Sequence, residues 1–188
     1  MKKEIENETH HKVMLKLILF VVLAAWLAFP AAGVRINEMM YNPDSDADSG
    51  YKNKEFVEIY IKDFTGNAPD LKGWNVSDTA GKDSKKNNSL EKVYYNNESR
   101  YALIVEEDVN FSEIRSDSNA SIYSAGASIG WGLNDGGDSV YIYNRSGSLM
   151  DSASYDGSLT DDNGSSIEFV DGEWLKSEEY GGTPGRKK

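Results

Sequence analysis

The stretch Glu55-Phe56-Val57-Glu58-Ile59-Tyr60-Ile61 decides the fold of this chain. Val57, Ile59 and Ile61 recur at every second position and so share one face of an extended strand. The same period is found on either side of it. Upstream, Val34, Ile36 and Met40 recur at even spacing before Asn42-Pro43. Downstream, Tyr101-Ala102-Leu103-Ile104-Val105 is a compact apolar run of the kind a buried strand carries. Val140-Tyr141-Ile142-Tyr143 and Leu149 to Tyr155 flank Asn144-Arg145-Ser146-Gly147, which predicts a hairpin. Ile167 to Val170 runs into Asp171-Gly172, a second turn signal. No long stretch after residue 33 has a helical period, although Glu106 to Ile114 has room for one turn. Many short strands with frequent turn residues predict an all-β sandwich or barrel.

Two stretches read as loops. Asp44 to Asn53 is acidic and polar, and Thr79 to Asn88 is rich in Lys, Asp and Asn. Trp74, Trp131 and Trp174 are expected in the core or on its rim. Gly126, Gly130, Gly132, Gly136 and Gly137 follow no phosphate-cradling spacing and read as turn glycines.

The amino-terminal part differs from the rest. Leu17 to Phe29 is an uninterrupted apolar run, preceded by Lys12 and Lys16 and ended by Pro30. Ala31-Ala32-Gly33 offers the small residues a signal peptidase needs. This predicts a secretory signal over residues 1–33, cleaved after Gly33. The alternative is an uncleaved membrane anchor, with Val13 to Leu15 extending the apolar segment. Either way, residues 34 onward are expected outside the cytoplasm, in the cell envelope or beyond it. Residues 34–185 would form one domain, and 186–188 a short basic tail.

Composition narrows the chemistry. The 188 residues carry a formal charge of −11 and no cysteine. Four lysines and three glutamates leave with residues 1–33, so the remainder carries −12. Such a surface repels nucleic-acid phosphate and anionic lipid. Contact with a membrane is therefore expected only through an uncleaved leader. Without cysteine there is no disulfide framework and no thiolate metal site. His10 and His11, the only histidines, both precede the apolar run. A mature chain would thus lack a Ser-His-Asp triad, a Cys-His pair and a histidine metal site. Paired carboxylates remain as an inventory for glycoside hydrolysis, but nothing in the sequence picks out a pair. The expectation is a protein that is not an enzyme and needs no cofactor.

One stretch suggests an ion. Asp44, Asp46 and Asp48 alternate before Gly50, and Glu55 stands at the twelfth position counted from Asp44. Hard carboxylate oxygens converging on a curled loop suit Ca²⁺. The same residues also read as a solvated connection between the first two strands. Seven Asn-X-Ser sequons, at Asn75, Asn87, Asn97, Asn110, Asn119, Asn144 and Asn163, fit a glycoprotein or, equally, a chain that uses Asn and Ser in its turns.

Six stretches in register carry a family resemblance. They are Val34-Arg35-Ile36-Asn37-Glu38 with Asn42-Pro43; Glu55 to Tyr60; and Leu71-Lys72-Gly73-Trp74. Next come Leu133-Asn134-Asp135-Gly136-Gly137-Asp138 leading into Val140 to Tyr143, and Gly147 with Asp151 and Tyr155. The last is Gly164-Ser165-Ser166-Ile167-Glu168, with Trp174 and Gly182-Thr183-Pro184-Gly185. Their order and spacing resemble a lamin tail domain of the exported, single-domain prokaryotic type. The resemblance implies an immunoglobulin-like two-sheet β-sandwich and no catalytic site. Lys82 to Ser99 matches that pattern poorly. The expected role is recognition or scaffolding at the cell surface with a protein or glycan partner, in an adhesion or envelope setting if Ca²⁺ stabilises the domain. A carboxylate-based hydrolase is the rival of another class. The chromatin role of nuclear lamins fits neither the leader nor the charge.

Overall fold

In a computed structural model, the described residues are 33–44, 54–62, 67–78, 88–111, 118–160 and 164–188. All of them belong to one compact unit, Gly33–Lys188. The leader, most of the acidic loop (45–53) and residues 79–87 of the polar loop lie outside them.

The described strands are β1 (Val34–Met40), β2 (Phe56–Ile61), β3 (Asn75–Ser77), β4 (Asn88–Ser89), β5 (Glu91–Tyr94) and β6 (Tyr101–Val105). They continue with β7 (Ser121–Ser124), β8 (Gly137–Tyr143), β9 (Leu149–Asp156), β10 (Ser165–Val170) and β11 (Glu173–Tyr180). They form two sheets, ordered β11-β10-β1-β2-β6-β7-β5 and β4-β3-β8-β9. Most pairs are antiparallel, and β6 with β7 is parallel. The apolar layer between the sheets takes Ile36, Val57, Ile59, Ala102 and Ile104 from the large sheet. Val76, Val140 and Ile142 come from the small one. This is a β-sandwich, as the alternating pattern predicts.

β2 and β6 are buried on both faces, which is why Tyr101 to Val105 reads as a continuous apolar run. Leu103 and Val105 join Met40, Phe56, Val109, Ala120 and Ile122 in a second apolar cluster. It lies on the outer face of the large sheet, away from Ala102 and Ile104. The segments 106–111 and 118–120 contribute Val109, Phe111 and Ala120 to it.

Met40 corrects an expectation. Even spacing puts it with Val34 and Ile36, yet it lies in the outer cluster. The β1–β2 pairing shifts between Ile36 and Glu38, so Asn37 is an extra residue on β1 and the side-chain phase inverts beyond it. Just before the irregularity, the Ile36 amide donates across the sandwich to Asp151 Oδ2 at 2.7 Å. Burial raises the Asp151 pKa, and the hydrogen bond from that amide counters the rise.

The turns follow the sequence more closely. Asn144 Oδ1 accepts from the amides of Ser146 and Ser148, both at 3.0 Å, and Gly147 takes φ 78° to close the β8–β9 hairpin. Asp171 (φ 50°) and Gly172 (φ 97°) turn β10 into β11. Trp74 and Trp174 pack against the inter-sheet core. Trp131 does not fit the expectation for the tryptophans. It is 59% exposed, on a turn whose amide binds Asp78 Oδ2 at 2.6 Å.

Candidate functional site

The inverted phase of β1 has a consequence on the outer face. It places Glu38 directly opposite Glu58 of β2, and Glu58 opposite Leu103 of β6. Like charges facing each other across a ladder repel, and burying them costs more still. Both carboxylates nevertheless have zero exposure.

The segment after β11 resolves the conflict. Gly181, Gly182 and Gly185 all take positive φ and fold residues 181–188 back over the pair. A Cβ at Gly182 would run into Glu38 Oε1 and Ser166 Oγ, so only glycine lets the backbone approach this closely. Glu38 Oε1 then accepts from Ser166 Oγ (2.6 Å) and the Thr183 amide (2.7 Å). Glu58 Oε1 accepts from Asn37 Nδ2 (2.7 Å), and Glu58 Oε2 from the Gly185 amide. Lys188 Nζ reaches Glu38 Oε2 at 2.5 Å and lies 3.7 Å from Glu58 Oε1. It also donates to the carbonyl and hydroxyl of Thr183, each at 2.5 Å. Its side chain is 3% exposed. Residues 186–188, expected as a separate basic tail, are thus part of the domain, and Lys188 is the inner plug of this clasp.

All four carboxylate oxygens have a donor, which is what a buried charged network needs to persist. Two carboxylates still face one ammonium. Burial raises both pKa values and Lys188 opposes the rise, leaving Glu58 at about 7. The pair holds a proton well above the ordinary carboxylate range.

Beside the clasp is an open cleft of about 350 Å³, lined by Arg35, Asn37, Tyr60, Arg100, Tyr101, Lys187 and Lys188. Arg35, Tyr60 and Tyr101 form one cross-strand row. Arg35 shares this outer face with Glu38, three residues away, because of the extra residue between them. Its guanidinium lies 4.8 Å from the Phe169 ring centre and 5.6 Å from that of Tyr60. Its Nη2 donates to Asn37 Oδ1 at 2.9 Å, and its buried Nε has no hydrogen-bond partner among the described residues. The Tyr60 and Tyr101 rings lie 5.5 Å apart, tilted by 48°. Asn37 joins the two features, accepting from Arg35 and donating to Glu58. Four cationic residues and no acid line this cleft, on a chain of net charge −11.

The residues singled out for Ca²⁺ have separate partners where they are described. Asp44 accepts from Tyr180 Oη at 2.6 Å. Glu55 Oε1 accepts from the Leu133 amide at 2.9 Å, while its buried Oε2 has no hydrogen-bond partner among the described residues. Burial raises the Glu55 pKa to about 7, and the charges of Glu106, Asp135 and Asp78 add to the rise. Asp46 and Asp48 lie outside the described residues. Among the described residues, no group of three or more His, Cys, Asp or Glu is arranged to hold a metal ion.

In the sequence Glu38 and Glu58 belong to separate strand patterns, and their spacing does not mark them as a pair. One signal was available. Glu58 interrupts the apolar outer phase of β2, between Phe56 and Tyr60, and a lone acid there needs a buried partner.

In a comparison with protein families, residues 28–157 match the family described as Lamin Tail Domain. No curated protein and no solved structure matches the chain. The matched span contains both carboxylates and most of the cleft, whereas Ser166, Thr183, Gly185 and the two lysines come from beyond it.

Proposed function

The chain belongs to the lamin tail domain family, and we propose that it works as a non-catalytic, exported module for recognition or scaffolding at the cell surface. The observation that carries this reading is the cationic, tyrosine-lined cleft set on interior strands of the large sheet. A rigid sheet holds those side chains in fixed relation, as a recognition surface requires.

The carboxylate pair is the natural objection. Two close acids with raised pKa values are what a glycoside hydrolase uses. Here both have zero exposure, and protein donors occupy every oxygen. No substrate atom can reach them while Lys188 is in place, so the geometry favours a structural clasp.

Export rests on Lys12, Lys16 and the apolar run 17–29, which lie outside the described residues. Among the described residues, no helix is long and apolar enough to cross a membrane. Fractionation with amino-terminal sequencing is the test, and a mature start at or near Val34 in the envelope or medium is expected. Intact Met1 in a membrane fraction selects the anchored form, and intact Met1 in the cytosol ends the export reading.

A Ca²⁺ site formed by Asp44, Asp46, Asp48 and Glu55 is a second proposal. Its support is the alternation of Asp44, Asp46 and Asp48 before Glu55, whose Oε2 has no hydrogen-bond partner among the described residues.

A further inference from the structure

We propose that the outer-face cleft binds an acidic glycan through one uronate residue, the sugar ring resting on Tyr60 and Tyr101 and its carboxylate meeting Arg35 and Lys187. This deepens the recognition reading and rests on it.

The first argument is position. β1, β2 and β6 are interior strands, and their ladders already use the backbone groups that an added strand would need. A peptide cannot bind here by extending the sheet, which is the general route by which strands capture peptides. Recognition must come from side chains alone.

The second argument is chemistry. Tyr60 and Tyr101 present two half-buried rings, a surface suited to the apolar face of a sugar. Arg35 is fixed by Phe169, Tyr60 and Asn37, and only its Nη2 has a hydrogen-bond partner among the described residues. A planar guanidinium held this way is prepared for a carboxylate at little cost in side-chain freedom. Lys187 is exposed at the rim and forms no ion pair among the described residues. Lys188 is committed to Glu38 and Glu58 and gives the ligand no free charge.

The third argument is size and charge together. A cleft of about 350 Å³ is at the small end of ligand pockets and suits one ring with its substituents. The chain's net negative charge disfavours a dense polyanion such as nucleic acid, whereas one well-placed carboxylate can be met by the cations of the cleft.

The test is calorimetric titration of the full chain with three probes: trigalacturonate, neutral galactotriose, which has rings without carboxylates, and triglutamate, which has carboxylates without rings. Trigalacturonate should bind at least roughly tenfold more tightly than either of the others, and more weakly as salt rises. Tyr60→Ala and Arg35→Gln should each weaken it by roughly tenfold or more. Lys187→Glu, at an exposed position that cannot disturb the core, should weaken it as well, and Lys72→Glu should not. If Arg35→Gln fails to fold, Lys187→Glu and Tyr60→Ala carry the test. Equal affinity for triglutamate overturns the glycan assignment and makes the cleft a site for acidic peptides. Equal affinity for galactotriose removes the carboxylate from the argument and overturns it too. Binding indifferent to Tyr60→Ala and Lys187→Glu puts the ligand elsewhere. No binding at millimolar probe rejects the inference, while export is judged separately by the mature amino terminus.

Discussion

Glu38 and Glu58 on the outer face are fully buried, Glu55 just before β2 is partly buried, and burial raises the pKa of all three. Their surroundings differ. The pair has a donor for every oxygen and an ammonium between the carboxylates, whereas among the described residues Glu55 has one amide donor, no partner for Oε2, and acids for neighbours. A buried acid with all its lone pairs satisfied is a fixed part of the fold. One half satisfied is a place where protonation or a cation still has something to gain.

The largest expected effect comes from removing the cation of the clasp. Lys188→Met leaves two buried carboxyls without a counter-charge, and breaking a buried ion pair from one side costs roughly 3–5 kcal/mol. Urea unfolding at pH 8 should show that loss. At pH 5 it should be much smaller, because protonated carboxyls need no cation. An equal loss at both pH values would mean that Lys188 acts through packing, and the contrast with Glu55 would fail.

A pH profile of the unaltered protein should follow from the same account. The Glu58 pKa lies at about 7 in the folded state against an ordinary 4.5. Between those values the unfolded chain binds fewer protons than the folded one, so stability falls as pH rises. The contribution is fully present below about 4.5 and is lost as pH climbs through 7. Calorimetric melting across that range should show the decline, and Glu58→Gln should flatten part of it. A profile that rises with pH would break the assignment.

How much of this was legible in the sequence depends on distance along the chain. The alternation in Phe56–Ile61 and the turn at Asn144–Gly147 are local patterns, and both appear in the fold as read. β7 was not foreseen, because four residues carry too little period to read. The extra residue at Asn37 was invisible too, since a one-residue phase change leaves the apolar count of β1 intact. The clasp joins residues up to 150 positions apart, and no local pattern can pair Glu38 with Lys188. The cleft was out of reach for the same reason: three strands supply its row, and its cations look like ordinary surface charge until the register is known.

A smaller effect tests the acidic loop. At about 10 mM Ca²⁺ and a dissociation constant of about 1 mM, as expected of extracellular modules, a site on the folded state alone adds about 1.4 kcal/mol. The melting temperature should rise by a few degrees, less with Mg²⁺, and Asp46→Asn with Asp48→Asn should abolish the rise. No response, or an unchanged response in the double variant, leaves the loop a solvated connection.

The smallest effect is expected at Glu55, where one variant tests both sides of the comparison. A pKa raised from 4.5 to about 7 corresponds to on the order of 3 kcal/mol if taken at face value. Glu55 is only partly buried, so solvent screening reduces that to about 1 kcal/mol. Glu55→Gln keeps an oxygen for the Leu133 amide and removes the charge that Glu106, Asp135 and Asp78 oppose. It should therefore stabilise the protein by about 1 kcal/mol at pH 8 and have little effect at pH 4. Denaturant unfolding at the two pH values measures this, and destabilisation at pH 8 would show that the charge is needed where it stands. Repeating the melt with Ca²⁺ separates the two roles left for this residue. If Glu55 completes the ion site, the variant loses the Ca²⁺ response together with the pH response. If the Leu133 amide is its only partner, the Ca²⁺ response survives and belongs to the aspartates alone.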